Sequence, residues 1–416
     1  MTILDAASLR SYLGAIGEVR ARLGSPPAAW QIREVGDGNL NLVFIVEGPA
    51  GSVCVKQALP YVRAAGPSWP MSPERIFFEH AYFETVAPYV GTRIPSIFHF
   101  DREQYCLVME RLSPHIILRH GLIAGRRYPT LAHDLGDYVA RASFYTSDFA
   151  WPFERKLRGM ALFAANLPLL RITVDLVFTD PYRDSARNRH TTPQLDSFVA
   201  AVRADAPLKL AAARYGQKFL NQPEALIHGD LHSGSVMVTE TDTRVIDPEF
   251  AFYGPIGFDL GAFFGNLLLS WYSQAGHASA KDDRSAYRNW ILEQLGAFWD
   301  AFRTRFLALW NEHPGGDAFP SDLFRGPEDR AALEGARCAQ MQALFADMLG
   351  FAACKMIRRI LGFAHVIDLE SIQDLQRRAG CEARALAMAR LLLKQPERFV
   401  SMAEVIDAVP RVTAEP

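Results

Sequence analysis

Two short acidic segments of this chain have the residue types and the spacing for joint chemistry. His228-Gly229-Asp230-Leu231-His232 precedes a short apolar run, and Val245-Ile246-Asp247-Pro248-Glu249 follows it, with Asp230 and Asp247 seventeen positions apart. Ser235-Val236-Met237-Val238 and a polar turn at 239–244 lie between them, which predicts strand, turn, strand with an acidic group at each end of a hairpin. A hairpin brings its ends together. One aspartate can then accept a proton from a hydroxyl while the other holds magnesium on a nucleotide phosphate, a pairing that suits phosphoryl transfer, where positioning and charge neutralisation carry most of the catalysis.

Each acidic residue also has a plainer reading. Asp230 can be a turn aspartate that caps its own backbone. His228 reads as a packed, hydrogen-bonded histidine, and His232 as either that or a ligand. Asp247 and Glu249 flank Pro248, which restricts the segment to an extended path. Two carboxylates this close suit Mg²⁺, which takes one or two of them beside phosphate oxygens and water. The apolar and aromatic run 250–258 argues for burial over a solvated acidic turn.

Further candidates lie upstream. Gly36-Asp37-Gly38-Asn39-Leu40-Asn41 falls between two predicted strands, where backbone amides freed by glycine can cradle phosphates. On its own it reads as an ordinary hairpin turn, and it departs from GxGxxG because Asn41 stands at the last glycine position. Alternation along 53–56 puts Cys54 and Lys56 on one face, and a lysine on an inner face needs a carboxylate or a phosphate. Glu79, in the following helix, is the candidate partner. An exposed lysine beside a solvated glutamate is the simpler reading until the preceding Gly-rich hairpin is considered. Met109-Glu110-Arg111-Leu112 is the predicted connector between two lobes, where backbone groups can meet a nucleobase. Arg358 and Arg359 close a long helix, where cations also offset the helix dipole. Neighbouring helical positions diverge by about 100°, so both can reach one ligand only from its two sides.

The elements that must position these groups divide unevenly. The chain has 416 residues and is 49% hydrophobic, enough for a large core in two lobes. Residues 5–23 predict one helix stopped by Gly24, and strands are predicted at 31–35, 42–46, 53–56, 97–100 and 105–109. Residues 60–73 form a Pro-, Gly- and Ser-rich loop, and Ser72-Pro73-Glu74 opens a helix to about residue 89. Five strands and a helix in a helically extended segment 1–112 make a small β-rich N-lobe. Segment 113–416 is a larger, mainly helical C-lobe, with helices at 130–145, 154–166, 194–220, 257–271, 283–310, 328–361 and 369–393. The fold class is α+β. The apolar run 256–271 carries Asp259 and is too short to span a bilayer, so it reads as a buried helix.

Net charge is −2, from 44 basic and 46 acidic side chains, and nothing in that balance points to nucleic acid or a membrane surface. Five scattered cysteines, with no CxxC pair, fit reduced thiols in a cytoplasm better than a disulfide frame or a zinc site. No secretory signal is visible in the first residues.

The motifs together resemble the protein-kinase-like superfamily in its aminoglycoside-phosphotransferase branch, and within it the 5-methylthioribose kinase family. The resemblance rests on the loop 36–41, Ser68-Trp69-Pro70, the run 228–235, the run 247–255 and Met356-Ile357-Arg358-Arg359, and spans about residues 30 to 365. Asp-Pro-Glu stands where protein kinases carry Asp-Phe-Gly. The resemblance implies a bilobal kinase-like fold with a five-stranded antiparallel sheet, and ATP and Mg²⁺ as cofactors. It implies that Asp230 is the base toward the 1-hydroxyl of methylthioribose, and that Asp247 and Glu249 hold the metal. Asn39, Asn41, Lys56, Glu79, Glu110, Arg111, Leu112, Asp247, Pro248 and Glu249 would serve ATP. Arg358 and Arg359 would approach sugar and phosphate, with Trp69 on a flexible loop over them. It also implies a homodimer in methionine salvage. Ser235 departs from the general kinase pattern, in which a metal-binding asparagine sits there. The rival readings are another small-molecule kinase of this superfamily, acting on aminoglycosides, choline or homoserine, and a non-catalytic nucleotide-binding scaffold. Paired arginines oppose a polycationic substrate, and a scaffold has no need of Lys56, Asp230, Asp247 and Glu249 together.

Overall fold

Alternating apolar residues in the first hundred positions build one antiparallel sheet. In a computed structural model that describes residues 1–36, 40–63, 66–313 and 315–414, its strands are β1 (Gln31–Glu34), β2 (Asn41–Gly48), β3 (Gly51–Ala58), β4 (Ile97–Asp101) and β5 (Cys106–Glu110), in the order β1-β2-β3-β5-β4. The helix predicted at 5–23 is two helices, α1 (Ala6–Ala15) and α2 (Gly17–Leu23), with Ile16 extended between them. Gly14 and Gly17 beside a β-branched residue weaken a continuous helix. The break lets Leu9, Leu13, Val19 and Leu23 all pack with Val46, Val53, Val55 and Val108 on one face of the sheet. Helix α3 (Arg75–Val90) covers the other face; it starts after Glu74, with Ser72 Oγ accepting from the Glu74 amide, rather than at Ser72 itself.

After β5 the chain makes a short strand β6 (Ile116–Ile117) and helix α4 (Leu118–Ile123), neither of which was expected. Helices α5 (Leu131–Tyr145) and α6 (Phe153–Phe163) follow, then α7 (Leu167–Thr173), which runs into a π-helical turn at Val174–Thr179. The helix predicted at 194–220 is split into α8 (Asp196–Ala204) and α9 (Ala206–Asn221), because Asp205 is extended and accepts from the Leu208 amide while Pro207 sits in the first turn of the new helix.

Four short strands then frame the acidic segments: β7 (Ala225–Ile227), β8 (Val236–Val238), β9 (Thr243–Val245) and β10 (Phe252–Gly254). β8 and β9 form the predicted hairpin, with Val236 opposite Val245, and β6 joins its edge. β7 pairs with β10. Long helices α10 (Ile256–His277), α11 (Ser285–Glu312) and α12 (Pro327–Leu361) complete the core, with α13 (Ile367–Glu370), α14 (Leu375–Lys394) and α15 (Met402–Ala408) outside them. The helix predicted at 369–393 thus starts at Leu375, where Asp374 caps it. Helix α10 is buried over most of its length, and no single helix among the described residues is long and apolar enough to cross a membrane. Helix α12 packs directly on it, and a Cβ at Gly261 would lie 2.7 Å from the Ala352 amide nitrogen. That close approach brings the last turns of α12 beside the loop after β7.

Candidate active site

Pairing of β8 with β9, and of β7 with β10, places the two acidic segments side by side. The Ile246 amide donates to Ser235 O at 2.9 Å, and the imidazole of His228 bonds Ile246 O at 2.9 Å. His228 Nδ1 accepts from the Asp230 amide at 3.3 Å, so Nε2 carries the hydrogen that bonds Ile246. The fully buried His228 is therefore the packed histidine expected, a brace between the two segments. Asp259, in the first turn of α10, accepts from the His228 and Gly229 amides at 2.7 and 3.0 Å. Gly229 has φ +82°, and a Cβ there would strike the Phe250 carbonyl, so glycine alone fits between the segments.

Asp230 faces helix α12. Lys355 Nζ lies 2.8 Å from its Oδ1, while His232 Nε2 and Arg359 Nη2 lie 3.4 and 3.9 Å from its Oδ2. Burial alone would raise this carboxyl, but Lys355, His232, Arg359 and Arg358 outweigh it and hold Asp230 well below the ordinary aspartate range. Burial, opposed by Asp230, keeps His232 well below the ordinary histidine range, so the ring is neutral. Its Nδ1 accepts from the Gly234 amide at 2.9 Å, which leaves Nε2–H pointing at Asp230. Arg359 is anchored by Ala364 O at 3.0 Å, while Arg358 Nε and Nη1 are buried with no hydrogen-bond partner among the described residues.

The second cluster joins the N-terminal sheet to the Asp-Pro-Glu segment. Lys56 on β3, 6% exposed, pairs with Glu79 of α3 at 2.6 Å and also with Asp247. Burial resists the charge on Lys56, but Asp247, Glu79 and Glu249 hold its ammonium protonated. Glu79 and Glu249 are pushed up by burial, against Lys56, with Asp247 adding to the rise. One carboxylate oxygen from each of Glu79, Asp247 and Glu249 lies within 4.8 Å of the others, an all-oxygen set that fits a hard divalent cation. Asp247 adopts φ +70°, unusual for a residue with a side chain, and its side chain is 43% exposed, so it is the open edge of this set.

The other predicted positions fall around these clusters. Asn41 donates to Glu249 Oε2 at 2.8 Å and accepts from Arg75 Nε at 3.0 Å. Asn39 lies outside the described residues. Arg111 pairs with Glu47, and Glu110 Oε2 accepts from the Ser96 amide at 3.0 Å, so the connector's side chains are tied to the sheet and its edge, while Leu112 is half-buried. Trp69 packs against Phe363, ring centroids 5.4 Å apart, joining the loop 60–73 to the chain just beyond α12. Ser235 donates to Asp230 O at 3.0 Å, so its hydroxyl braces the loop that carries Asp230.

Three site residues were missed. Lys355 stands four positions before Arg359, so both share one helical face, and a lysine inside the apolar run 351–357 was the signal. Arg75, buried beneath Asn41 and 3.4 Å from Glu249, is likewise four positions from Glu79. Asp259 was noticed only as a charge in a buried helix; its role in capping the loop could not be read from spacing.

Residues 31–314 match the phosphotransferase enzyme family. The chain is similar to methylthioribose kinase 1 of Oryza sativa subsp. japonica, 47% identical over 97% of this chain and 94% of that protein. It is 44% identical to the methylthioribose kinase of Escherichia coli O45:K1 (strain S88 / ExPEC) over 97% of this chain and 96% of that protein. Among solved structures, a spectinomycin phosphotransferase in complex with ADP and spectinomycin aligns with a TM-score of 0.46 and 13% identity, over 99% of this chain and 100% of that one.

Proposed function

This chain belongs to the methylthioribose kinase family, and from that premise we propose that it transfers the γ-phosphoryl group of ATP to the 1-hydroxyl of 5-methylthioribose, within methionine salvage. The observation that carries the reading is Asp230, a carboxylate kept ionised beside cations at the end of the hairpin that also delivers Asp247. In the reaction the sugar oxygen bonds to the γ-phosphorus as the bond from that phosphorus to the ADP oxygen breaks, and the hydroxyl proton passes to Asp230 Oδ2. Arg359, Arg358 and Lys56 spread the charge that develops on the transferring group.

Asp247 and Glu249 are the residues that would hold Mg²⁺, and a bound ion would neutralise phosphate charge. Lys56 shares Asp247 with that role, so nucleotide phosphates that draw Lys56 away leave Asp247 free for metal. Glu79 then orients Lys56. Residues 110–112 would line the adenine, at a boundary that divides an N-terminal lobe, 1–112, from a catalytic lobe, 113–416. Trp69 would close over the neutral, thioether-bearing sugar, whose pocket needs an apolar wall beside hydroxyl acceptors. The reading extends to a cytoplasmic homodimer with neither nucleic acid nor membrane as partner.

Release of ADP measured in parallel with methylthioribose, ribose, choline and kanamycin tests the acceptor. Turnover with methylthioribose well above the other three is expected; robust turnover with another acceptor and none with methylthioribose would overturn the assignment.

A further inference from the structure

Lys355 has no part in the transfer as derived, yet among the described residues it makes the shortest side-chain contact to the proton acceptor. Its Nζ lies 2.8 Å from Asp230 Oδ1, and the residue is 3% exposed. The same ammonium sits 4.4 Å from the centroid of the Phe258 ring, so it is held from a second side. Helix α12 that carries it packs closely on α10, and Asp259 of α10 ties down the backbone just before Asp230. The two oxygens of Asp230 are therefore unequal: Oδ1 has a short charge-assisted bond, while Oδ2 has only His232 at 3.4 Å and Arg359 at 3.9 Å.

We propose that Lys355 is a positioning residue, which pins Oδ1 of Asp230 and so presents Oδ2 alone to the acceptor hydroxyl. The inference rests on the reading of Asp230 as proton acceptor. Lys355 gives and takes no proton; the hydroxyl proton goes to Oδ2 while Oδ1 keeps its bond to the ammonium. An unpinned carboxylate would rotate about its Cβ–Cγ bond and share both oxygens among Arg358, Arg359 and the hydroxyl, a misplacement that positioning-dominated chemistry punishes.

The electrostatic setting acts in the same direction. The groups that face Asp230 are Lys355, Arg358 and Arg359 from α12 and His232 from its own loop. Asp259 of α10 stands behind that loop, and Arg119 of α4, paired with Asp368 of α13 at 3.4 Å, stands behind Arg359. Lys355 is the first of the cations that oppose burial of the carboxylate. Removing it would let burial raise Asp230, so the acid limb of the pH profile would move upward.

The test uses Lys355→Met and Lys355→Arg in the full chain, with kcat and kcat/KM followed against pH, ADP affinity and thermal unfolding. Lys355→Met is expected to lower kcat by about 10²-fold, to shift the acid limb of kcat/KM upward by about one unit or more, and to leave ADP affinity in place. Lys355→Arg keeps the charge but not the seat, so the acid limb should return while kcat stays at least about tenfold low. A folded Lys355→Met with a parental acid limb and kcat overturns the inference. Should that variant not fold, a parental kcat in Lys355→Arg overturns it. Asp230→Asn separates the two levels. Turnover in Asp230→Asn sinks the proton-acceptor reading, whereas an inactive Asp230→Asn beside parental Lys355 variants sinks only the role of Lys355.

Discussion

Asn41 donates to Glu249 Oε2 at 2.8 Å across 208 residues of chain, so the first residue of β2 holds a carboxylate of the Glu79, Asp247 and Glu249 cluster. Its other amide atom accepts from Arg75, whose remaining hydrogen bonds go to Leu40 O, Leu59 O and Ser72 O. Asn41 therefore links β2 to Glu249 and to Arg75 through one side chain. Asn41→Ala should raise the Mg²⁺ concentration needed for half-maximal turnover severalfold. It should also cost roughly 1–3 kcal/mol, because Arg75 Nε loses its nearer partner and Glu249 Oε2 loses a donor. Metal titrations of turnover and urea unfolding check both effects; unchanged values in both would detach Asn41 from the site.

Metal removal should be complete and reversible in its effect. Chelation is expected to abolish turnover, and Mg²⁺ to restore it. Glu249→Gln should demand far more Mg²⁺ while binding methylthioribose as the parent does, as read by titration with the sugar alone.

Gly229→Ala tests the junction of the two acidic segments. At φ +82°, with the Phe250 carbonyl in the path of a Cβ, alanine should cost about 1–3 kcal/mol and displace Asp230. Denaturant unfolding and kcat measured on the same preparation should fall together. Loss of stability with a normal kcat would show that Asp230 tolerates the displacement.

The depressed carboxyl of Asp230 gives a stability prediction with a definite sign. Its folded pKa lies below the unfolded value of about 3.9, so the stabilisation is fully present above that value and is lost as pH falls through the folded one. Asp230→Asn leaves Lys355 and Arg359 without their anion, and should be less stable than the parent at pH 7 by a few kcal/mol. The gap should narrow as pH drops below about 3.9. A gap of constant size from neutral to acid pH would show that Asp230 is not held ionised by these cations.

Local chemistry made much of this protein readable from the chain alone. A polar turn between β-branched runs announced the β8–β9 hairpin, and with it the nearness of Asp230 and Asp247, because hairpin register is a short-range property. Strand alternation separated Lys56 from Val53 and Val55 for the same reason, while its burial beside Glu79 was decided by how α3 covers the sheet. Where a helix had to end was less legible. Ile16 and Asp205 break helices that periodicity alone would continue, since which turn yields depends on the packing of both halves. Least legible were the partners that come from distant elements. Nothing near Asp230 in sequence names Lys355, 125 residues away, and nothing near Asn41 names Arg75 or Glu249. Those pairings follow from how closely α12 lies on α10 and how α3 covers the sheet. A buried charge must find its counter-charge wherever the fold delivers one, and sequence spacing carries no record of that search.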